Sequence, residues 1–227
     1  MKRKTKKLLI SCLALSFISF CGFNTNHVKA FETEDINVGK EFIEYVTDTF
    51  THEDKVTVID FNGNNITNNY FSANVNHYLN NDFKSIKIYF INCIDNIYID
   101  ESNENINTRS PFVTQTVSKR YYKVVNKEQA SGELEYYLNG SFIWDRATGL
   151  ISSVGNASIN ITYNNFGTNW NKIVSNMTTS SSMSSDKCYA YFSGGFNLRV
   201  TFKKYLVEWY NIDLGRFTGN TTEHPQG

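Results

Sequence analysis

Apolar and polar residues alternate along the stretch from Glu133 to Trp144. Because successive side chains of a strand point to opposite faces, this period of two predicts a half-buried β-strand. Trp144 falls on the core side at the end of the strand, where we expect a large ring to be half covered. The core-side positions are Leu134, Tyr136, Leu138, Gly140, Phe142 and Trp144.

The alternation stops at the five residues 145–149, Asp-Arg-Ala-Thr-Gly. An Asp at the start of a turn can accept a hydrogen bond from the backbone two residues on, and a Gly at its end tolerates a positive φ. The stretch is therefore predicted to be a hairpin loop. Asp145 and Arg146 are expected on its rim and not as a catalytic pair.

Period-two alternation recurs along the rest of the C-terminal half. Gly194 and Gly195 are expected to turn the chain between two strands, and residues 180–185 to form a loop. Five to six antiparallel strands within about 110 residues predict a β-sandwich or a partly open barrel. The alternating segments are 113–125, 151–163, 188–192, 196–202 and 205–209.

The preceding residues predict a smaller β-rich part. Residues 56–61 run into Asn62-Gly63, which predicts a hairpin, and residues 86–99 are strand-like throughout. Residues 42–50 fit one face of a short helix or of a strand, and their β-branched content favours the strand. The polar residues 100–111 are predicted to form a linker or a long surface loop.

The first 30 residues have the three parts of a secretory signal peptide. Five basic residues precede an apolar stretch, 8–23, that is shorter than the roughly 20 residues of a bilayer span. Val28 and Ala30 suit a signal-peptidase site, so we expect cleavage after Ala30 and secretion of a protein that begins at Phe31. Membrane contact is then expected only before cleavage; the alternative is an uncleaved anchor.

The charge of the remaining chain is unevenly divided. Residues 31–107 carry 14 acidic and 4 basic side chains, and residues 108–227 carry 8 acidic and 12 basic. The net charges of −10 and +4 give −6 in total, which disfavours nucleic acid as a partner. The split predicts an acidic region, 31–107, a basic sandwich, 108–217, and a flexible tail, 218–227.

Three interpretations of this charge division stay open. The two halves can simply have differently solvated surfaces. Alternatively, the basic half faces an anionic partner such as a cell-wall polymer, or it faces the acidic half of the same chain.

Basic and aromatic residues interleave at Lys119, Arg120, Tyr121 and Tyr122. Adjacent aromatic residues on a strand point to opposite faces, so one tyrosine of the pair is expected to leave the core. Exposed flat rings suit sugar-binding surfaces because they cover the apolar faces of sugars. Together with Trp144 and Trp209, these residues are the candidate surface for a cell-wall polymer or glycan. The alternative places the rings in the core and the lysine head groups in water.

Two cysteines, Cys93 and Cys188, lie after Ala30, one in each half. An exported pair can be oxidised, so they are a candidate disulfide. The alternative is two buried thiols that act as small apolar residues.

Residue patterns typical of catalytic or metal chemistry are missing from the sequence. His52, His77 and His224 have no Cys or His partner at ligand spacing, so neither a metal site nor a cofactor is expected. Glu133, Glu135 and Asp145 are carboxylates from which a glycosidase pair could be drawn, but Glu133 and Glu135 lie on the polar face of their strand.

The Lys-rich leader and the abundance of Asn, Ile, Lys, Tyr and Phe resemble those of the β-rich secreted proteins of low-GC Gram-positive bacteria. The predicted function is that of a secreted, non-catalytic binding or interaction protein for cell-wall or glycan ligands. One alternative is a secreted polysaccharide hydrolase. Another is a small β-type toxin, since residues 156–185 are rich in Ser and Thr.

Overall fold

The computed structural model describes residues 36–105, 110–127, 129–167, 170–204 and 207–225, without the side chains of 104, 105, 203, 204 and 207–209. The helices are α1 (Lys40–Thr51), α2 (Thr67–Leu79) and α3 (Phe83–Cys93), with a 3-10 turn at Glu53–Lys55. The strands are β1 (Val56–Ile59), β2 (Asn96–Asp100), β3 (Asn103–Asn105), β4 (Phe112–Lys127), β5 (Ala130–Asp145), β6 (Leu150–Val154), β7 (Ser158–Asn165), β8 (Trp170–Met183), β9 (Ala190–Lys204) and β10 (Val207–Glu223).

The strands form two antiparallel sheets, which pack together as the predicted β-sandwich. Sheet A has seven strands with the long hairpin of β4 and β5 at its centre; β2 and β3 pair with the far edge of β4, and β6 and β7 with the far edge of β5. Sheet B has three strands in the order β10-β9-β8. The alternation along β5 is confirmed, since its even-numbered apolar residues face sheet B.

Tyrosines join the two sheets inside the core. Tyr136 on β5 stacks on its cross-strand neighbour Tyr121 at 5.0 Å and meets Phe196 of sheet B edge-on at 5.3 Å. The Tyr136 hydroxyl donates to the Thr218 carbonyl at 2.8 Å, and the Tyr121 hydroxyl donates to the Asn220 carbonyl at 3.2 Å. These bonds satisfy the buried hydroxyls and tie β10 to sheet A.

The hairpin loop after β5 forms as predicted. Asp145 Oδ1 accepts from the Ala147 backbone N–H at 2.8 Å, and Gly149 has a φ of 67°. The Gly149 N–H also bonds back to the Asp145 carbonyl at 2.8 Å. The polar side chain at the start and the glycine at the end therefore do what the turn requires.

Helix α1 corrects the prediction that residues 42–50 form a strand. Its buried residues, Phe42, Tyr45, Val46 and Thr49, follow the i, i+3, i+4, i+7 spacing of one helix face. They pack on sheet A, where the Tyr45 ring stacks on Tyr122 at 4.6 Å. Burial of this stripe outweighs the weak strand preference of the β-branched residues.

Residues 86–99, also predicted to be a strand, are mostly helical. Helix α3 extends to Cys93, and the strand β2 begins only at Asn96. Asp82 caps the helix by accepting from the Ser85 N–H at 3.2 Å. The residues buried along α3 repeat the helical spacing: Ile86, Lys87, Tyr89, Phe90 and Cys93.

The expected hairpin at Asn62-Gly63 is only a turn. Gly63 has a φ of 82°, and a single bridge joins Ile59 to Asn65 before α2 begins. The second arm of the predicted hairpin is therefore helical.

Three assignments in the C-terminal half also change. Gly194 and Gly195 do not turn the chain but lie within β9, and most of the predicted loop 180–185 belongs to β8. The predicted tail 218–227 is ordered up to Glu223, which ends β10. Residues 180–183 of β8 and 218–223 of β10 both pair in register with β9, so the backbone hydrogen bonds of the sheet order them.

The chain from Val38 to Gly227 forms one compact unit. Sheet A contains β1 to β3 from the acidic region and β4 to β7 from the basic region. Strands from both sides of the predicted boundary between residues 107 and 108 therefore lie in the same sheet.

Candidate functional site

Tyr121 and Tyr122 do point to opposite faces of β4, but neither ring is exposed: 0% and 1% of their surfaces are accessible. Tyr121 faces sheet B, whereas Tyr122 lies under α1 against Tyr45 and Phe42. The expectation that one ring leaves the core is wrong because helices cover the outer face of sheet A here. Burial and the neighbouring Glu133 carboxylate raise the pKa of Tyr122.

Lys119 is buried between the sheets and is unavailable to a polymer. Its ammonium group bonds the Asp100 carboxylate at the end of β2 and lies 2.9 Å from Glu223 Oε1 at the end of β10. Burial acts to raise the pKa of Asp100, but its bonds, above all the one from Lys119, outweigh this and hold that pKa below its usual range. Lys119 therefore fastens the C-terminal strand to sheet A.

Arg120 points to the opposite face from Lys119 and binds the helical layer. Its Nη2 donates to Asp48 Oδ2 on α1 at 2.6 Å, and its Nε lies 3.2 Å from Glu101 Oε1. The guanidinium also lies over the Tyr45 ring, 5.2 Å from its centroid. Lys123, three residues further along β4, lies 3.5 Å from Asp95 Oδ1. The basic residues of β4 thus meet acidic residues of the same chain.

Trp144 lies on the core side of β5, as predicted, but is buried and not half covered. Ile151 packs in the same cluster from the strand that pairs with it. The indole therefore contributes packing and offers no surface to a glycan.

The predicted disulfide between Cys93 and Cys188 is not formed. Cys188 carries a free thiol, whereas Cys93 is disulfide-bonded. Cys93 ends α3 in the helical layer, whereas Cys188 lies just before β9 in sheet B. The two belong to different layers of the fold.

The carboxylates considered for hydrolysis have structural partners. Glu133 is buried and pairs with Lys87, which joins β5 to α3. Glu135 Oε1 accepts from the Thr162 hydroxyl at 2.8 Å, and Asp145 caps its turn. Among the described residues, no group of three His, Cys, Asp or Glu side chains could hold a metal ion. No helix in the described part of the chain is long and apolar enough to cross a membrane.

Three aromatic rings lie side by side at one end of sheet B, one on each strand. Phe202 on β9 is the register partner of both Trp170 on β8 and Tyr210 on β10. The centroid of the Phe202 ring is 5.3 Å from that of Trp170 and 6.2 Å from that of Tyr210. The Trp170 and Tyr210 rings are 6.2 Å apart, with planes inclined by 31°. We call these three residues the aromatic cluster.

The aromatic cluster lies where the core opens. Along β9, the core-facing residues Phe196, Leu198 and Val200 are fully buried, but Phe202 is only half-buried. Trp170 is also half-buried, and Tyr210 is exposed. The cluster therefore continues the apolar core to a surface that a ligand can reach.

A β-bulge decides which residue of β10 joins the cluster. Glu208 pairs with Lys203, but the register then shifts and Tyr210 pairs with Phe202. Without the extra residue, Trp209 would lie opposite Phe202, because a one-residue shift exchanges the faces of a strand. Trp209, predicted as a binding residue, is the bulged residue, and its side chain lies outside the described part.

Alternation predicts the strand that carries Phe202 but not β8, which carries Trp170, and it could not bring the two residues together. Their meeting depends on the register between β8 and β9, which the single sequence does not specify. Comparisons with family models, with curated proteins and with solved structures find no match.

We expect Lys119→Met to lower the free energy of unfolding by about 3 kcal/mol, because it leaves the buried Glu223 and the partly buried Asp100 without their cation. Urea denaturation measures the loss. Lys40→Met is the control: it removes the exposed pair with Glu44, at 3.0 Å, and should cost much less, because solvent screens the pair. Equal losses in the two variants would contradict a structural role for the buried lysine.

We expect Cys188 of the native, unreduced full-length protein to react with a thiol reagent, because it carries a free thiol that is partly accessible. Labelling followed by peptide mapping identifies the residue, with a reduced and denatured sample as the reference for complete labelling. Labelling of Cys188 only after reduction would show that it is bridged.

Proposed function

We propose that this protein is an exported, non-catalytic binding protein that holds a glycan at the aromatic cluster. The observation that carries the proposal is the row of Trp170, Phe202 and Tyr210 across all three strands of sheet B, half-open at the end of the core. The leader-like composition of residues 1–30 supports export.

Half-open aromatic rings suit the apolar faces of sugar rings. Such rings cover a large area and lose little conformational freedom on binding, because only two side-chain torsions are fixed. Trp170 and Tyr210 are held in place by their contacts with Phe202 and with each other. A surface that is already ordered loses less entropy when the ligand binds.

The basic residues of β4 are poor candidates for this role. Lys119 and Arg120 contact Asp100, Glu223, Asp48 and Glu101 within the chain, so their charge is largely compensated. This leaves apolar contact with sugar faces, and not charge, as the recognition that the cluster can provide.

A non-catalytic role agrees with the partners of the carboxylates. Glu133 is engaged by Lys87 inside the molecule, and Asp145 bonds its own loop. An acid–base pair for glycoside hydrolysis needs two carboxyl groups about 5–9.5 Å apart across a bound sugar. Neither residue lies in the aromatic cluster.

Tyr210→Ala is expected to weaken glycan binding about tenfold or more, since truncating a central aromatic ring removes much of the contact area. Tyr189→Ala is the matched control: Tyr189 is 43% exposed and Tyr210 is 40% exposed, but Tyr189 is outside the aromatic cluster. Binding to purified cell walls and neutral polysaccharides, measured by pull-down and titration calorimetry, tests the difference.

Two results would contradict the proposal. One is equal binding by both tyrosine variants, and the other is no binding by the wild-type protein to any of the polysaccharides. Release of reducing sugar during the same incubation would instead favour the polysaccharide hydrolase.

A further inference from the structure

Two arginines lie on the outer face of sheet B, away from the core. Arg199 on β9 and Arg216 on β10 are both exposed. Arg216 pairs in register with Asn197, which is two residues from Arg199 on the same face of β9. Since two residues of a strand span about 7 Å, the arginines occupy neighbouring positions on one flat surface.

These arginines differ from the cations of α3 and β4 that pair with carboxylates. Lys87, Lys119, Arg120 and Lys123 each meet a carboxylate. Neither Arg199 nor Arg216 forms an ion pair with a described carboxylate. The nearest acidic residue in register, Asp213, accepts from the Gly215 N–H at 2.9 Å through its Oδ1.

Arg216 is held flat across the sheet. Its Nη1 donates to the Asn176 carbonyl at 3.3 Å, and its Nη2 donates to the Thr178 hydroxyl. It passes over Gly195, where a Cβ atom would lie only 3.0 Å from Nη2. The glycine therefore makes room for the guanidinium, which keeps N–H groups available for a further acceptor.

The surface around the arginines is rich in hydroxyl and amide groups, which can donate hydrogen bonds to the oxygens of a ligand. By strand register, the outward positions besides Arg199, Arg216 and the acidic Asp213 are Asn171, Ile173, Ser175, Thr178, Ser180, Ser182, Tyr191, Ser193, Gly195, Asn197, Thr201, Asn211, Thr218, Asn220 and Thr222.

We propose that this surface, the arginine face, binds an anionic polysaccharide that repeats a phosphodiester or carboxylate group. Guanidinium groups match the geometry of phosphate and carboxylate oxygens, and uncompensated cations attract a polyanion. The arginine face is on the opposite side of sheet B from the aromatic cluster. The inference is therefore independent of the proposed glycan site.

Binding of the full-length wild-type protein to two probes, inorganic polyphosphate and polygalacturonate, tests the proposal and separates phosphate from carboxylate recognition. Arg199→Gln and Arg216→Gln are each expected to weaken binding to the preferred probe about fivefold or more and to reduce the slope of log K against log salt by about 1. Arg146→Gln removes an exposed arginine from the β5–β6 turn and should leave binding unchanged.

Two further variants test whether binding depends on the planar guanidinium of Arg216 and on the hydrogen bonds that position it. Arg216→Lys keeps the charge but loses the planar fork, and Thr178→Val removes one of its anchors. Both should weaken binding and leave thermal unfolding close to that of the wild type. The proposal is overturned if the double variant Arg199→Gln/Arg216→Gln binds both probes as tightly as the wild type. It is also overturned if the wild-type protein binds neither probe at low salt.

Duplex DNA at the same phosphate concentration distinguishes a polysaccharide surface from a general polyanion surface. We expect it to compete poorly, because a flat face with two cations contacts few phosphates of a duplex. Competition equal to that of the polysaccharide probe would also overturn the proposal. Loss of neutral-glycan binding in Tyr210→Ala has no bearing on these outcomes.

Discussion

Strand β4 is covered on both faces, and the rest of the structure depends on this. One face presents Tyr121 and Lys119 to sheet B, and the other presents Tyr122 and Arg120 to the helical layer. A strand buried on one side only would leave the second tyrosine and one cation in water. Here each ring has a packing partner and each cation has a carboxylate, as buried polar groups require.

The pairing on β4 explains the uneven charge of the sequence. Of the interpretations left open, the structure favours the one in which the basic half faces the acidic half of the same chain: Arg120 binds Asp48 and Glu101, and Lys123 lies beside Asp95. Any external ligand must then be sought where side chains are not already engaged. On sheet B, the aromatic cluster and the arginine face meet that condition.

Much of the sandwich could be predicted from the sequence, because period-two alternation reports directly which residues of a strand are buried. The loop after β5 was predictable for a local reason: Asp145 and Gly149 supply the bond and the backbone angle that it needs. The helices were missed where strand-favouring residues were weighted above the helical spacing of Phe42, Tyr45 and Val46. That spacing is the signal that could have identified α1.

The candidate site was less predictable because it depends on contacts between distant residues. The alternation of a strand correctly places Tyr121 and Tyr122 on opposite faces of β4, but it could not reveal that α1 covers the Tyr122 ring. The bulge before Tyr210 exchanges it with Trp209, and no local pattern marks that register shift. Alternation fixes which face a residue takes only while the register holds.

The central claim is that the helical layer and the sandwich are one cooperative unit held together through β4. All three tryptophans lie after residue 107, in the sandwich half, whereas all three described helices lie before it. Equilibrium unfolding followed by tryptophan fluorescence and by helical circular dichroism therefore reports on the two layers separately. We predict that the two transitions coincide at one denaturant midpoint. Loss of the helical signal at a clearly lower midpoint than the fluorescence change would contradict the account.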